Sequence, residues 1–406
     1  MEKQINANVF SEVGELESVI LHTPGPEVEN MTPLNAERAL YSDILNLSVA
    51  KKEYAQLSCV MKKLTNTFFA TDLLEDILKD EKVKDMMVRK ICSNEDQLDI
   101  VDKLLELDAA NLAIQLIQGV PIRHDCLTNF LSNESYALRP LHNFFFTRDA
   151  AVSIYNKVLI SKMATKVRER ESIIMQSIFD YHQNISGPTM NPLEYPKYSP
   201  ALKIEGGDII IGNEDIILIG IGARTSSQGI DFIVNRIKEL EGKKHIIVQE
   251  LPYKPESFIH LDMTFTFLDK NEAMIYEPLI TKPNKYQTVH IEIDNGNVKS
   301  IQNVKNIPEI LKDLGMPLKL IYCGGRKDPV IQEREQWHSG ANFFATGPGK
   351  LIGYSRNVYT LDDMNKNGYE IIKAKDIISG KRNAKEYSKH VITIDGSELS
   401  RGGGGV

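Results

Sequence analysis

The strongest constraint on the fold is a unit that occurs twice with little identity between its copies. VLISKMATKVRERESIIMQSI (158–178) and IILIGIGARTSSQGIDFIVNRI (216–237) each run from an apolar strand through a small or polar bend into a helix. In both helices the apolar residues fall at three- and four-residue spacing. KLIGYSRNVYTLDDMNKNG follows the plan more loosely. Thr and Ser at the bends predict helix N-caps. SVILHT, DIIIG, HIIVQEL, AMIYEP, LKLIYCG and HVITIDG read as further short strands. A strand–bend–helix unit that keeps returning predicts an α/β architecture assembled from copies.

One region breaks this rhythm. From Asp72 to Gly119 the strand signal vanishes, and Leu73, Leu74, Ile77 and Leu78 share one helical face. Leu98, Val101, Leu104 and Leu105 form a second face, and Asn94 with Gln97 reads as its capping box. The chain therefore divides into an α/β body, 1–70 and 139–406, and an inserted helical domain, 71–138. PTMNPLEYPKYSP (188–200) reads as a proline-rich surface loop.

With 406 residues, 42% of them hydrophobic, the chain can bury a large core. A net charge of −7 argues against nucleic acid as a partner, since phosphate binding draws on clustered Lys and Arg. Cys59, Cys92, Cys126 and Cys323 lack CxxC spacing and neighbouring histidines, which argues against zinc and against a disulfide framework. Each reads as a small buried hydrophobe. No apolar run reaches membrane-spanning length and the start, MEKQINANVF, lacks a secretory apolar core. The expectation is a reduced, cytoplasmic protein with no membrane partner.

Polar residues gather at strand ends and bends, where α/β proteins place their chemistry. LHNFFFTRDAAV carries Asn143, Phe146, Arg148 and Asp149; a turn with a local Arg148–Asp149 ion pair is the plain reading. KIEGGDIIIG sets Gly206 and Gly207 between Glu205 and Asp208, as a hairpin turn or a site. In FIHLDMTFTF, strand alternation puts His260 and Asp262 on one face, as a proton-transfer pair or as a satisfied core histidine. Arg168 and Arg224 occupy matching places in the two repeated units, which points both toward one centre. Carboxylates grip a cation and arginines hold a carboxylate, so the set suits a ligand with a guanidinium at one end and an amino-acid head at the other.

These residues carry a resemblance to the arginine deiminases of the guanidino-group-modifying superfamily. It rests on NFFFTRD (143–149), EGGD (205–208), IGIGARTS (219–226), HLD (260–262), EREQW (333–337), GYSRN (353–357) and SELSRGGGG (397–405), in the family's order. TPGPEVENMTPLN near the start is similar to the family's opening. The resemblance implies five quasi-repeated ββαβ modules around a central cavity (the pentein propeller) with a helical insertion, in a dimer or tetramer. It implies that Asp149 and Asp262 bind the guanidinium with Glu205 alongside, and that His260 is general acid and base. Arg168 and Arg224 would hold the substrate carboxylate, Asn143 the amino-acid head, and Phe146 the aliphatic chain. Asp208 would steady the Gly206–Gly207 turn, and Arg401 is a candidate further carboxylate contact. The family's reaction turns L-arginine into L-citrulline and ammonia without metal or cofactor. A cysteine thiolate attacks the guanidinium carbon, and water resolves the thiouronium.

Two departures stand out. The family's cysteine follows the glycine loop within a few residues, whereas this sequence ends at Val406. The expectation is a truncated, inactive form of an arginine deiminase. The alternatives are an arginine-binding or regulatory protein, another guanidine hydrolase, or an amidinotransferase. LYSDILN (40–46) also differs from the family's acidic segment, which leaves Asp43 without an assigned role.

Overall fold

The computed structural model describes residues 4–31, 44–195 and 199–406; Asp43, the end of the TPGPEVENMTPLN segment and the middle of the proline-rich loop lie outside the described residues. The architecture is a ring of copies of one unit. Strands Ala151–Ile154 and Lys157–Ile160 pair antiparallel, helix Glu169–Tyr181 crosses over, and Thr189–Met190 returns parallel to the second strand. The order recurs in Ile209–Ile211, Ile216–Ile221, helix Ser227–Ile237 and Lys243–Glu250. It recurs in Phe265–Asp269, Glu272–Ile275, helix Ile307–Asp313 and Lys319–Tyr322. A fourth copy joins Phe344–Gly347 and Lys350–Tyr354 through helix Val358–Lys366 to Glu370–Lys373 and His390–Ile394. The fifth is shorter: Ser18–Leu21 and Asn66–Phe69 pair in parallel across helix Leu47–Leu64.

The sequence logic of a unit is visible in the second copy. Ile216–Ile219 are almost wholly buried, as parallel strands covered on both faces require. Ser226, still extended, then caps the helix by accepting from the Gly229 amide. Thr165 makes no such bond in the first copy; a single turn, Lys166–Arg168, leads into that helix instead. Parallel pairing forces a crossover in every unit, and the apolar helix faces supply its cover.

The stretch expected to be inserted contains helices Ala70–Leu78, Glu81–Asn94 and Ala109–Gln118, with Asp80 capping the second. Leu73, Leu74, Ile77, Leu78, Val101 and Leu104 are buried and share one apolar core with Ile173, Ile174 and Ile178 of the body. Leu98 departs from the expected face and is exposed. The Asn94–Gln97 capping box does not form: Asn94 ends one helix, and Gln97 precedes a single turn without a side-chain cap. Between them Asp96 takes a positive φ of 59°, which turns the chain before a box can close.

Candidate active site

The first strand of each full unit is preceded by a polar turn, and these turns meet at the centre of the ring. Thr147–Ala150 leads into one strand, Gly206–Asp208 into the next, Leu261–Met263 into the third, and Asn342 precedes the fourth. The turns approach so closely that side chains are excluded between them. A Cβ on Gly206 would stand 1.9 Å from the Arg148 carbonyl oxygen, and one on Gly207 2.4 Å from His260 Nδ1. EGGD is therefore a close backbone contact and not a hairpin. HLD is a tight turn after an extended His260, not a strand, because pairing begins only at Phe265.

His260 Nε2 lies 3.0 Å from Glu205 Oε2, and its Nδ1 lies 3.7 Å from Asp149 Oδ1. Arg224 Nη1 donates to the same Glu205 oxygen at 3.0 Å. Arg168 donates from Nη1 to Asp149 Oδ2 at 2.9 Å and from Nε and Nη2 to Glu171 at 3.0 and 2.8 Å. Its Nη1 also stands 3.8 Å from Glu205. The Ala164 amide completes the cradle by donating to Glu205 Oε1 at 2.9 Å. Three carboxylates, two guanidiniums and an imidazole thus form one buried cluster.

Several expected partners differ. Arg148 does not pair with Asp149; it reaches Glu12 through both terminal nitrogens at 3.2 and 2.7 Å and donates to the Gly206 and Ile209 carbonyls. Asp208 does not act on its own turn alone, because its Oδ1 accepts from the Leu261 amide at 3.0 Å and so ties EGGD to HLD. Arg401 pairs with Glu398 at 2.8 Å and is absent from the cavity wall. Cys59 and Cys126 are exposed, against the expectation that all four cysteines are buried; Cys92 and Cys323 are buried.

Burial opposes charge on His260, but Asp149, the Glu205 hydrogen bond and Asp208 outweigh it and raise its pKa to about 9. Burial raises Asp262 to about 6 and Asp208 to about 7. It acts on Glu205 too, yet Arg224, the His260 hydrogen bond and Arg168 overcome it and hold that carboxyl far below its usual range. Asp149, Glu205 and His260 offer ligand atoms within 4.8 Å of one another. Arg168 and Arg224 bring two fixed positive charges against the same oxygens, so the cluster suits hydrogen-bond donors better than a metal cation.

Beside the cluster lies a cavity of about 130 Å³, whose wall includes Asn143, Phe146, Asp149, Arg168, Arg224, His260 and Asp262. Residues 402–406 close it. The glycines there are required by contact: a Cβ on Gly404 would meet Phe146 at 2.5 Å, and one on Gly405 would meet Asn342 Oδ1 at 1.9 Å. Ser339 and Tyr354 hydroxyls donate to the Gly404 and Gly405 carbonyls at 2.8 and 2.9 Å. Asn342, Glu171 and Tyr354 were not singled out from sequence. Asn342 repeats the polar-turn-before-strand position of the other units, and Glu171 stands one helical turn after Arg168; either signal could have found them.

The family model for arginine deiminase matches residues 37–406. The arginine deiminase of Borreliella burgdorferi (strain ZS7) is 31% identical over 418 residues, covering 98% of this chain and 95% of the relative. That of Listeria innocua serovar 6a is 31% identical over 414 residues, with the same two coverages of 98% and 95%. A solved dimethylarginine dimethylaminohydrolase adduct with S-methyl-L-thiocitrulline superposes with a TM-score of 0.50 at 14% identity, over 96% of both chains, and shows the shared fold. Units of ββαβ order closing around one polar centre give this chain the pentein fold. Within that fold, the chain belongs to the arginine deiminase family. Among the described residues no helix is long and apolar enough to cross a membrane.

Proposed function

We propose that the site is built to hydrolyse L-arginine to L-citrulline and ammonia. The observation that carries this reading is the junction of a buried cluster of carboxylates, guanidiniums and an imidazole with a cavity lined by Phe146 and the glycine loop. Asp149 and Asp262 present carboxyl groups to a guanidinium. The pKa of about 9 makes His260 an acid at neutral pH, ready to protonate departing ammonia. A guanidinium arriving beside it adds positive charge, which lowers that pKa and prepares the ring to take a proton from water.

At the other end of the ligand, Arg224 is the arginine with donors to spare: its Nε and Nη2 have no partner among the described residues. All three nitrogens of Arg168 are already bonded to Asp149 or Glu171, so its part is to hold those carboxylates. Asn143 lines the same wall for the amino-acid head.

No cysteine lines the cavity among the described residues. Burial raises the Cys92 thiol to about 11 and Cys323 further, which suppresses both thiolates. We infer that the nucleophile belongs to a residue following the glycine loop, and that residues 1–406 alone bind arginine but turn it over negligibly. Loss of a nucleophile costs about a millionfold in an analogous hydrolase. The test adds Arg-Cys after Val406 and compares citrulline release and calorimetric arginine binding in both forms. The expected result is binding in both and turnover only in the extended form. Binding without turnover in the extended form supports a non-catalytic arginine-binding protein, and binding by neither refutes the substrate assignment.

A further inference from the structure

Among the described residues the glycine loop over the cavity pairs with no strand, so its height is set elsewhere. Where the chain leaves strand His390–Ile394, the backbone amides of Ser397, Glu398 and Leu399 converge on one side chain, Glu53 of helix Leu47–Leu64. Its Oε1 accepts from the Ser397 amide at 2.7 Å, from the Glu398 amide at 3.2 Å, and from the Ser397 hydroxyl. Its Oε2 accepts from the Glu398 and Leu399 amides at 3.0 and 2.9 Å. Glu53 is 3% exposed and, among the described residues, pairs with no cation. A buried carboxylate therefore spends its acceptors on the backbone at the base of the loop. Nearby contacts repeat the grip: the Asn46 amide donates to Glu398 Oε2 at 2.8 Å, and Gln56 bonds Asp395 at 2.8 and 3.0 Å.

We propose that Glu53 is a positioning residue for the cavity: it fixes the base of residues 397–406 and thereby the distance between the glycine loop and Phe146. Glu53 does not line the cavity, so it acts only through that backbone. Its ligand consequence rests on the arginine-binding reading above; the mechanical consequence does not.

The test uses Glu53→Gln and Glu53→Ala in the chain as it stands. Glutamine keeps the shape and one acceptor oxygen but turns an N–H group toward the amides, removing charge-assisted bonds worth about a tenfold change in equilibrium or more. Hydrogen exchange should then quicken about tenfold in the 395–406 segment of Glu53→Gln and further in Glu53→Ala, while strands 216–221 and 350–354 keep their wild-type protection. Arginine affinity measured by calorimetry should fall about tenfold in Glu53→Gln. If Glu53→Ala does not fold, Glu53→Gln carries the test. Unchanged exchange at 395–406 in folded Glu53→Gln overturns the proposal, as does quickened exchange with unchanged affinity. Failure of the wild-type chain to bind arginine refutes the substrate assignment, and exchange at 395–406 then decides the positioning role by itself.

Discussion

Replacing Glu205 by glutamine removes one negative charge from the buried cluster and leaves its shape intact. In the wild type that carboxylate touches His260 Nε2 at 3.0 Å. At an effective dielectric of about 20, a unit charge at that distance is worth about 5 kcal/mol, an upper bound because Arg168 and Arg224 offset part of its field. With the charge gone, the protonated ring loses a hydrogen-bonded counter-charge. The His260 pKa should fall from about 9 toward the ordinary imidazole value, with Asp149 and Asp208 still holding it up in part. Titration of labelled histidine rings by NMR between pH 5 and 10 reads this directly. A pKa that stays near 9 in folded Glu205→Gln would refute the account of what charges the histidine. The same shift has a stability consequence. Because the folded pKa lies above the unfolded one, protonated His260 stabilises the wild type by about 3 kcal/mol below pH 6.5, and this is lost as pH rises through about 9. Denaturant unfolding of the variant should show a smaller loss over that pH range.

Two other outcomes follow from contacts already described. Gly405→Ala places a methyl group 1.9 Å from Asn342 Oδ1, so the loop must lift; destabilisation of about 1–3 kcal/mol and weaker arginine binding are expected, by chemical denaturation and calorimetry. An aromatic disulfide reagent should titrate Cys59 and Cys126 in the native chain and reach Cys92 and Cys323 only after unfolding.

What the sequence made legible is what local physics determines. Apolar runs such as Ile216–Ile219 declare buried parallel strands, and Ser226 declares the helix after them, because burial and capping act over a few residues. Arg168 and Arg224 stood out because they occupy matching places in two repeated units, and Asp149, Glu205, His260 and Asp262 because they fall at strand ends and bends. Long-range partners did not. Arg148 meets Glu12 across 136 residues, and Glu53 meets Leu399 across 346, so no local pattern announces either bond. The HLD alternation misread its element because one polar residue in two is as compatible with a tight turn as with a strand. Asn94 and Gln97 have the composition of a capping box, but Asp96 between them takes a positive φ that no composition rule announces.

Because the four central turns belong to different units, no single unit contains a working pocket. During synthesis the first helices and sheets can form as they emerge, yet the cavity wall, which draws on residues from Val19 to Val406, stays incomplete until strand His390–Ile394 and the glycines after it are in place. Small molecules can therefore rescue the finished ring from unfolding but cannot guide its assembly.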